Sequence, residues 1–260
     1  MKLIKIPFGG GGLGKGNKAS EAPDKIIEQL KDLYSNEEGI EFKYVADEVK
    51  VIPNNVEETN QNIIKKVSEL KEKCILLGGD HSITYACFKG YSKNFPNSGL
   101  IVFDAHADVE NDFSPPSQED YLRVLIEEGH LDKDKVIIIG LRNWHDNEIK
   151  YLEEKKIKYF NMKKLFEMGI KEACDTVMET AMQWENLYLS IDIDAVDPAF
   201  APGTGYNEPG GLTSRQMIYF LQRLKKMRNL RMIDLVEVNP SLDCCNLTAK
   251  LAAKLVVELS

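Results

Sequence analysis

The fold is decided by Gly-Gly-Asp-His-Ser at residues 78–82, by Asp-Ala-His-Ala-Asp at residues 104–108, and by Ser-Ile-Asp-Ile-Asp-Ala-Val-Asp at residues 190–197. Each stretch follows a short apolar run, at residues 75–77, 101–103 and 187–189. Such runs are typical of buried strands in a parallel sheet. Ligands bind beyond the carboxyl ends of the strands in open α/β sheets, so we expect the three polar clusters to share one edge.

The three clusters predict a site for two divalent metal ions. The residues expected to converge are His81, Asp104, His106, Asp108, Asp192 and Asp194. The acids and imidazoles alternate along the chain, so an extended strand end would project them to one side. If four carboxylates are crowded together without a cation, at least one of them has to be protonated. Oxygen and imidazole ligands suit manganese better than the metals that prefer thiolates.

A single Asp-x-His-x-Asp stretch has plainer interpretations, as a solvated strand end or a helix cap. Here three such clusters each follow an apolar strand, and this context favours the metal site. Two ions about 3.5–4 Å apart can hold a hydroxide as a nucleophile at neutral pH.

The chain resembles the ureohydrolases, the family of arginase, agmatinase and formimidoylglutamase, and most of all an arginase-like member. The resemblance rests on the three clusters, on Pro-Ala-Phe-Ala-Pro-Gly-Thr-Gly at residues 198–205, and on Asp-Leu-Val-Glu-Val-Asn-Pro at residues 234–240. These motifs span most of the chain. The resemblance implies a single α/β domain over residues 1–260, with three α/β/α layers around a mainly parallel sheet of about eight strands.

The resemblance also implies two Mn²⁺ ions per chain and a role for each ligand. One ion would be bound by His81, Asp104, Asp108 and Asp192. The other would be bound by Asp104, His106, Asp192 and Asp194. The catalytic residues would be His106, Asp108, which would orient the attacking hydroxide, and Glu237, which would pair with the guanidinium group. A carboxylate can grip a planar cation through both oxygens, although a plain acid at a strand end is the alternative for Glu237.

The remaining substrate contacts are predicted at Tyr206 and Glu208, in the loop that frames the pocket mouth in the family, and at Gln118. By resemblance, Gln118 stands where the family carries a proton-shuttling histidine, and glutamine cannot shuttle a proton. The leaving amine would then take its proton from water or from an acid, and the candidates are Glu110, Asp112 and Glu119. His145 follows a strand and could line the cleft, but an unpaired loop histidine more often has no such role.

The predicted function is manganese-dependent hydrolysis of a C–N bond in a guanidino or linear amidine compound, agmatinase-like or arginase-like, with release of urea. The side chains with which arginases hold the head group of arginine are not recognisable, which disfavours arginine as the substrate. The alternatives are a formimidoylglutamase, a deacetylase-type amide hydrolase on the same fold, and a metal-binding paralogue without catalysis. The resemblance implies a homo-oligomer, a trimer or a hexamer.

The composition of the chain limits the classes of partner that it can bind. The chain has 260 residues, 43% of them hydrophobic, and a formal net charge of −8. This charge argues against nucleic acid and anionic membranes as partners and favours a cationic substrate. No apolar run reaches membrane-spanning length, and five cysteines without a CxxC pair suit a reducing compartment, so we expect a cytoplasmic protein. The glycine-rich residues 9–16 are interpreted as a turn, since they match a phosphate-binding loop only in part.

Apolar periodicity and turn signals predict alternating helices and strands. The predicted helices are 23–34, 56–73, 82–91, 119–128, 146–155, 173–184, 214–226 and 246–258. The predicted strands are 1–6, 42–52, 74–77, 99–103, 135–140, 157–160, 187–193 and 231–236.

Overall fold

The computed structural model describes residues 1–13 and 18–260. Its strands are β1 (Lys2–Ile6), β2 (Val45–Glu48), β3 (Cys74–Gly78), β4 (Ser98–Phe103), β5 (Val136–Leu141), β6 (Lys158–Asn161), β7 (Asn186–Asp192) and β8 (Leu230–Val236). Its α-helices are α1 (Ala22–Leu30), α2 (Val56–Ser68), α3 (Ile83–Ser92), α4 (Tyr121–Glu127), α5 (Asp146–Lys155), α6 (Met162–Met168), α7 (Ile170–Ala181), α8 (Ser214–Leu224) and α9 (Leu247–Glu258).

The strands form one parallel sheet in the order β2-β1-β3-β8-β7-β4-β5-β6. The register aligns the carboxyl ends of the central strands: Leu77 pairs with Leu235, Asp192 with Val236, and Phe103 with Ile191. The residues that follow these pairs therefore leave the sheet at one level. This alignment confirms the predicted parallel sheet of eight strands and places the three polar clusters at one edge.

Helices cover both faces of the sheet, which gives the predicted three layers. In β4, Ile101 and Phe103 pack into a core with α1, α7, α8 and α9. Leu100 and Val102 of the same strand pack into a second core with α2, α3, α4 and α5. The near-continuous burial of β3, β4, β5 and β7 follows from this arrangement, because a strand between two helical layers exposes neither side to water.

Gly79 shows why the turn after β3 needs glycine. A Cβ atom built on Gly79 would lie 1.8 Å from the carbonyl oxygen of Phe8, which follows β1. The backbone of Asp80 hydrogen-bonds to that same oxygen at 3.0 Å. The ends of β1 and β3 thus meet backbone to backbone, and only a residue without a side chain fits between them.

The structure differs from the predicted elements in a few places. The strand predicted at residues 42–52 is confined to Val45–Glu48, an exposed edge strand. The helix predicted at residues 173–184 begins at Ile170 and is preceded by a separate helix, Met162–Met168, because Gly169 at φ 85° breaks the run. The glycine-rich motif extends to Gly14–Gly16, which lie outside the described residues, so its interpretation as a turn stays a prediction. Along the described chain, no helix combines the length and apolar character needed to span a membrane.

Candidate active site

The predicted metal ligands converge at the carboxyl ends of β3, β4 and β7. His81 follows β3, Asp104 and His106 follow β4, and Asp192 ends β7. His81 Nδ1 lies 3.0 Å from Asp104 Oδ2, and the same nitrogen lies 3.2 Å from Asp192 Oδ2. His81, Asp104 and Asp192 are buried and offer one ligand atom each to a common point.

A second group lies beside the first and shares Asp104 with it. Its members are Asp104, His106 and Asp194. His106 Nδ1 lies 3.0 Å from Asp194 Oδ2 and 3.5 Å from Asp104 Oδ1. The backbone N–H of Ala105 holds the other oxygen of Asp194 at 3.0 Å. Asp104 therefore turns one oxygen toward each group, as a residue between two cations would.

Asp108 and Asp194 reach the site through loops rather than through the pleat of a strand. β4 ends at Phe103, and Asp108 has a φ of 53°, in the left-handed region. Asp194 lies in a 3₁₀ turn after β7, and its N–H donates to Asp192 at 2.7 Å. Asp108 Oδ2 still lies 3.0 Å from His81 Nδ1. The structure brings the six side chains together, but alternation along an extended strand end does not explain the positions of Asp108 and Asp194.

The atoms that face one another here fit a metal ion. His81 Nδ1 and Asp104 Oδ2 are buried and lack a hydrogen-bond partner in the described structure, despite their 3.0 Å separation. Burial, together with the charges of Asp194 and Asp104, raises the pKa of Asp192 well above its ordinary value. A cation would keep these acids ionised and supply the partner that the orphaned atoms lack. Oxygen and nitrogen ligands suit manganese.

A buried hydrogen-bond chain fixes the orientation of His81. Its Nε2 lies 2.9 Å from Ser190 Oγ, and that hydroxyl donates to Asp234 Oδ1 at 2.6 Å. Asp234 also accepts hydrogen bonds from Tyr188 and Thr84. With Asp234 accepting from Ser190, the serine oxygen is left to accept from Nε2–H. The lone pair of His81 then lies on Nδ1, the nitrogen that faces the acids.

Glu237 follows β8 and enters the same cavity from the neighbouring strand. Its φ is 64°, and its Oε1 accepts the backbone N–H of His81 at 2.7 Å. Burial and the nearby Asp80 raise the pKa of Glu237 well above its ordinary value. A buried carboxylate with this cost of ionisation gains from pairing with a cation.

The other predicted contacts divide into two groups. Gln118 and Tyr206 line the cavity together with the metal cluster. Glu208 is not among the lining residues: its carbonyl oxygen accepts hydrogen bonds from Arg142, and its carboxylate accepts one from Asn143 at 2.7 Å. Glu208 therefore holds the loop against β5, and a direct substrate contact for it stays a prediction.

The structure adds residues that the sequence analysis did not select. Asn143, Trp144 and Glu148 line the cavity, and so does His145, the loop histidine that follows β5. At the start of α5 the carboxylate of Glu148 accepts the backbone N–H of His145 at 2.9 Å. The sequence predicts the start of this helix, but its position at the cleft depends on the fold.

Comparisons with known proteins agree with this geometry. The arginase family model matches residues 1–260. An arginase of Staphylococcus aureus (strain COL) is 34% identical over 217 residues, which cover 76% of this chain and 72% of that protein. The crystal structure of an arginase from Bacillus subtilis has a TM-score of 0.87 at 28% identity and covers 100% of this chain and 97% of its own.

A formimidoylglutamase structure from Bacillus subtilis has a TM-score of 0.93, covering 99% of this chain and 85% of that one. Its identity is 24%, so this likeness concerns the fold alone.

Proposed function

The chain belongs to the arginase family and is a hydrolase of amidino C–N bonds. We propose that it uses two manganese ions to cleave a guanidino compound with release of urea, or another linear amidine with release of the corresponding amide. The observation that carries the proposal is the pair of three-ligand groups that share Asp104 and face Glu237 across one cavity. When bound, two such ions supply a hydroxide nucleophile at neutral pH.

Side chains of the site would bind the substrate and orient the attacking group. Glu237 has one oxygen on the backbone of His81, which leaves the other oxygen for the planar cation of the substrate. Asp108 would orient the attacking oxygen by a hydrogen bond. His106 is the most exposed of the six candidate ligands, with 21% of its side chain open, so it faces the substrate side of the cluster. Water would give the leaving amine its proton, because Gln118 cannot.

The proposed ligand set is tested by Asp192→Ala, with Asp32→Asn as the control for a lost surface charge. We expect Asp192→Ala to lose bound manganese and urea production together, whereas Asp32→Asn keeps both. Metal content by mass spectrometry and urea release are the two measurements. Full metal content in Asp192→Ala would overturn the ligand assignment.

The substrate is tested by incubating the manganese-loaded protein with agmatine, arginine, guanidinobutyrate, guanidinopropionate and formiminoglutamate. Release of urea or formamide from one of them supports the proposal and identifies the substrate. Two bound manganese ions without turnover of any compound would instead favour an amide hydrolase of the deacetylase type, or a metal-binding protein without catalysis.

The expected homo-oligomer, a trimer or a hexamer, belongs to the same proposal. Its support is the family membership of the chain. Sedimentation equilibrium of the manganese-loaded protein tests it, and a monomer at micromolar concentration would contradict it.

A further inference from the structure

The wall of the cavity beyond the metal cluster carries an excess of acids. Glu110, Glu119 and Glu148 line it, and of the lining residues described none is a lysine or an arginine. No ion pair within 4 Å neutralises Glu110 or Glu119 in the described structure. Arg123 lies near Glu110, but it donates to the carbonyl oxygen of that residue at 3.3 Å and not to its carboxylate. This wall therefore presents two carboxylates without a side-chain ion pair, Glu110 and Glu119, to whatever enters.

Two acceptor atoms in this wall lack a donor. Gln118 is 5% exposed, and its Oε1 is buried without a hydrogen-bond partner among the described residues. Glu110 Oε2 is buried and unpartnered in the same way. A backbone hydrogen bond of 3.0 Å from Glu110 to Glu119 holds the two segments side by side. Buried acceptors without donors are costly, so a ligand that brings several N–H groups fits this wall.

Aromatic rings stand beside the acids. Tyr206 donates its hydroxyl to Glu119 at 3.2 Å, and its ring packs edge-on against His106 at 5.4 Å. Trp144 lines the same cavity and is 37% exposed. The faces of such rings attract organic cations.

We propose that this wall is a second, distal cation subsite formed by Glu110, Gln118 and Glu119. It selects linear guanidino compounds whose far end is a protonated amine over those whose far end is a carboxylate. An ammonium group offers three donors and no acceptor, which matches the two orphaned acceptors, whereas a carboxylate would face Glu110 as a like charge. This inference rests on the proposed function, because the metal cluster and Glu237 would hold the guanidinium end.

The test compares substrates that differ only at the far end. Agmatine carries an ammonium there, butylguanidine a methyl group and 4-guanidinobutyrate a carboxylate. With the manganese-loaded enzyme, we expect kcat/KM to fall in that order, with agmatine about tenfold or more above butylguanidine, mainly through KM. Equal kcat/KM values for the three compounds, or preference for the carboxylate, would overturn the subsite while leaving the proposed function intact.

Variants of Glu110 and Glu119 test whether these residues cause the preference for a distal ammonium group. We expect Glu110→Gln to lower the ratio of kcat/KM for agmatine over butylguanidine about tenfold, and Glu119→Gln to lower it in the same direction. Glu154→Gln removes the same charge from an exposed site on α5 and should leave the ratio unchanged. An unchanged ratio in both Glu110→Gln and Glu119→Gln would show that the preference does not come from this wall.

A binding measurement separates this inference from the proposed function. 1,4-Diaminobutane keeps the distal cation but has no bond to hydrolyse. Calorimetry should show that it binds the manganese-loaded protein and that Glu110→Gln weakens this binding about tenfold. If no guanidino compound is turned over but this difference persists, the hydrolase proposal fails and the subsite stands. No binding of the diamine to the wild-type protein would overturn the subsite.

Discussion

Ser190 links the imidazole of His81 to the buried Asp234 and so fixes the tautomer and orientation of that ring. Its hydroxyl lies between His81 Nε2 and Asp234 Oδ1, at 2.9 and 2.6 Å. We expect Ser190→Ala to weaken manganese binding about 10- to 100-fold, because the imidazole loses the partner that sets its tautomer and orientation. Titration of the metal-free protein with manganese, followed by calorimetry, measures the effect.

Two variants control this prediction. Ser190→Thr keeps a hydroxyl at the same position and should bind manganese more tightly than Ser190→Ala. Ser68→Ala removes a hydroxyl that only caps the carbonyl of Lys65 on the surface, and it should bind manganese like the wild type. Equal affinity in Ser190→Ala and the wild type would show that the chain through Asp234 does not act on the metal site.

The sequence selects six side chains that the structure brings together, but it predicts their geometry less well. Asp104 and His106 could be selected because they follow an apolar strand directly. The left-handed φ of Asp108 could not be predicted, because it depends on how the loop after β4 is held by other elements. Glu110, Gln118 and Glu119 could be selected from the sequence, but Glu148 could not, because it lies 38 positions from Glu110 in the chain and lines the same cavity only in the fold.

Among the secondary-structure elements, the junction of β1 and β3 is the most sensitive to a single methyl group. We expect Gly79→Ala to destabilise the protein by about 3 kcal/mol or more, because the added Cβ would overlap the carbonyl oxygen of Phe8, which cannot move without breaking the hydrogen bond to Asp80. Urea unfolding measures the change. Gly205→Ala is the matched control, since no atom lies within 4 Å of its added Cβ.

Glu37, in the loop before β2, forms an ion pair with Arg215 of α8. This ion pair should make the stability of the fold depend on pH. Hydrogen bonds from Arg215 and then Gln222 lower the pKa of Glu37 to about 2. The folded-state pKa lies below the ordinary one, so the stabilisation is fully present above about pH 4.3 and is lost as the pH falls toward 2.

The variant Glu37→Gln tests this effect. We expect it to cost about 0.5 kcal/mol at pH 7, a small value because Glu37 is partly exposed and screened by water. The difference from the wild type should shrink as the pH falls from 4 to 2. Unfolding free energies at each pH, compared with those of Glu154→Gln, measure it. A difference that grows on acidification would contradict the assignment.

Strands with strong apolar patterns were predicted close to their observed bounds, whereas β2 was predicted with bounds that are too wide. β4, β5 and β7 are buried on both faces, so their sequences read as continuous apolar runs. β2 is exposed along its whole length and carries no such signal. Its pairing with β1 is what makes it a strand, and that partner is remote in sequence.

For the whole molecule, the metal site and global stability should be linked. Ions that bind only the folded state stabilise it by about 2.7 kcal/mol per site at a concentration 100 times the dissociation constant. For a chain of this size, we expect each bound manganese ion to raise Tm by about 5–10 °C relative to chelator. Scanning calorimetry measures the shift, which should be smaller in Asp192→Ala and unchanged in Asp32→Asn. Identical Tm values with manganese and with chelator would contradict a structural contribution of the metal.

The position of β8 has a consequence for synthesis on the ribosome. β8 lies between β3 and β7 and is the strand that joins β2-β1-β3 to β7-β4-β5-β6, yet it comes last of all the strands in the chain. Chains grow from the amino terminus at about 5–20 residues per second, so both half-sheets emerge with an open, apolar edge before their common neighbour exists. Until residues 230–237 leave the exit tunnel, the nascent protein therefore exposes two unpaired strand edges, and its acid cluster is not yet assembled. We expect it to depend on chaperones most during this interval.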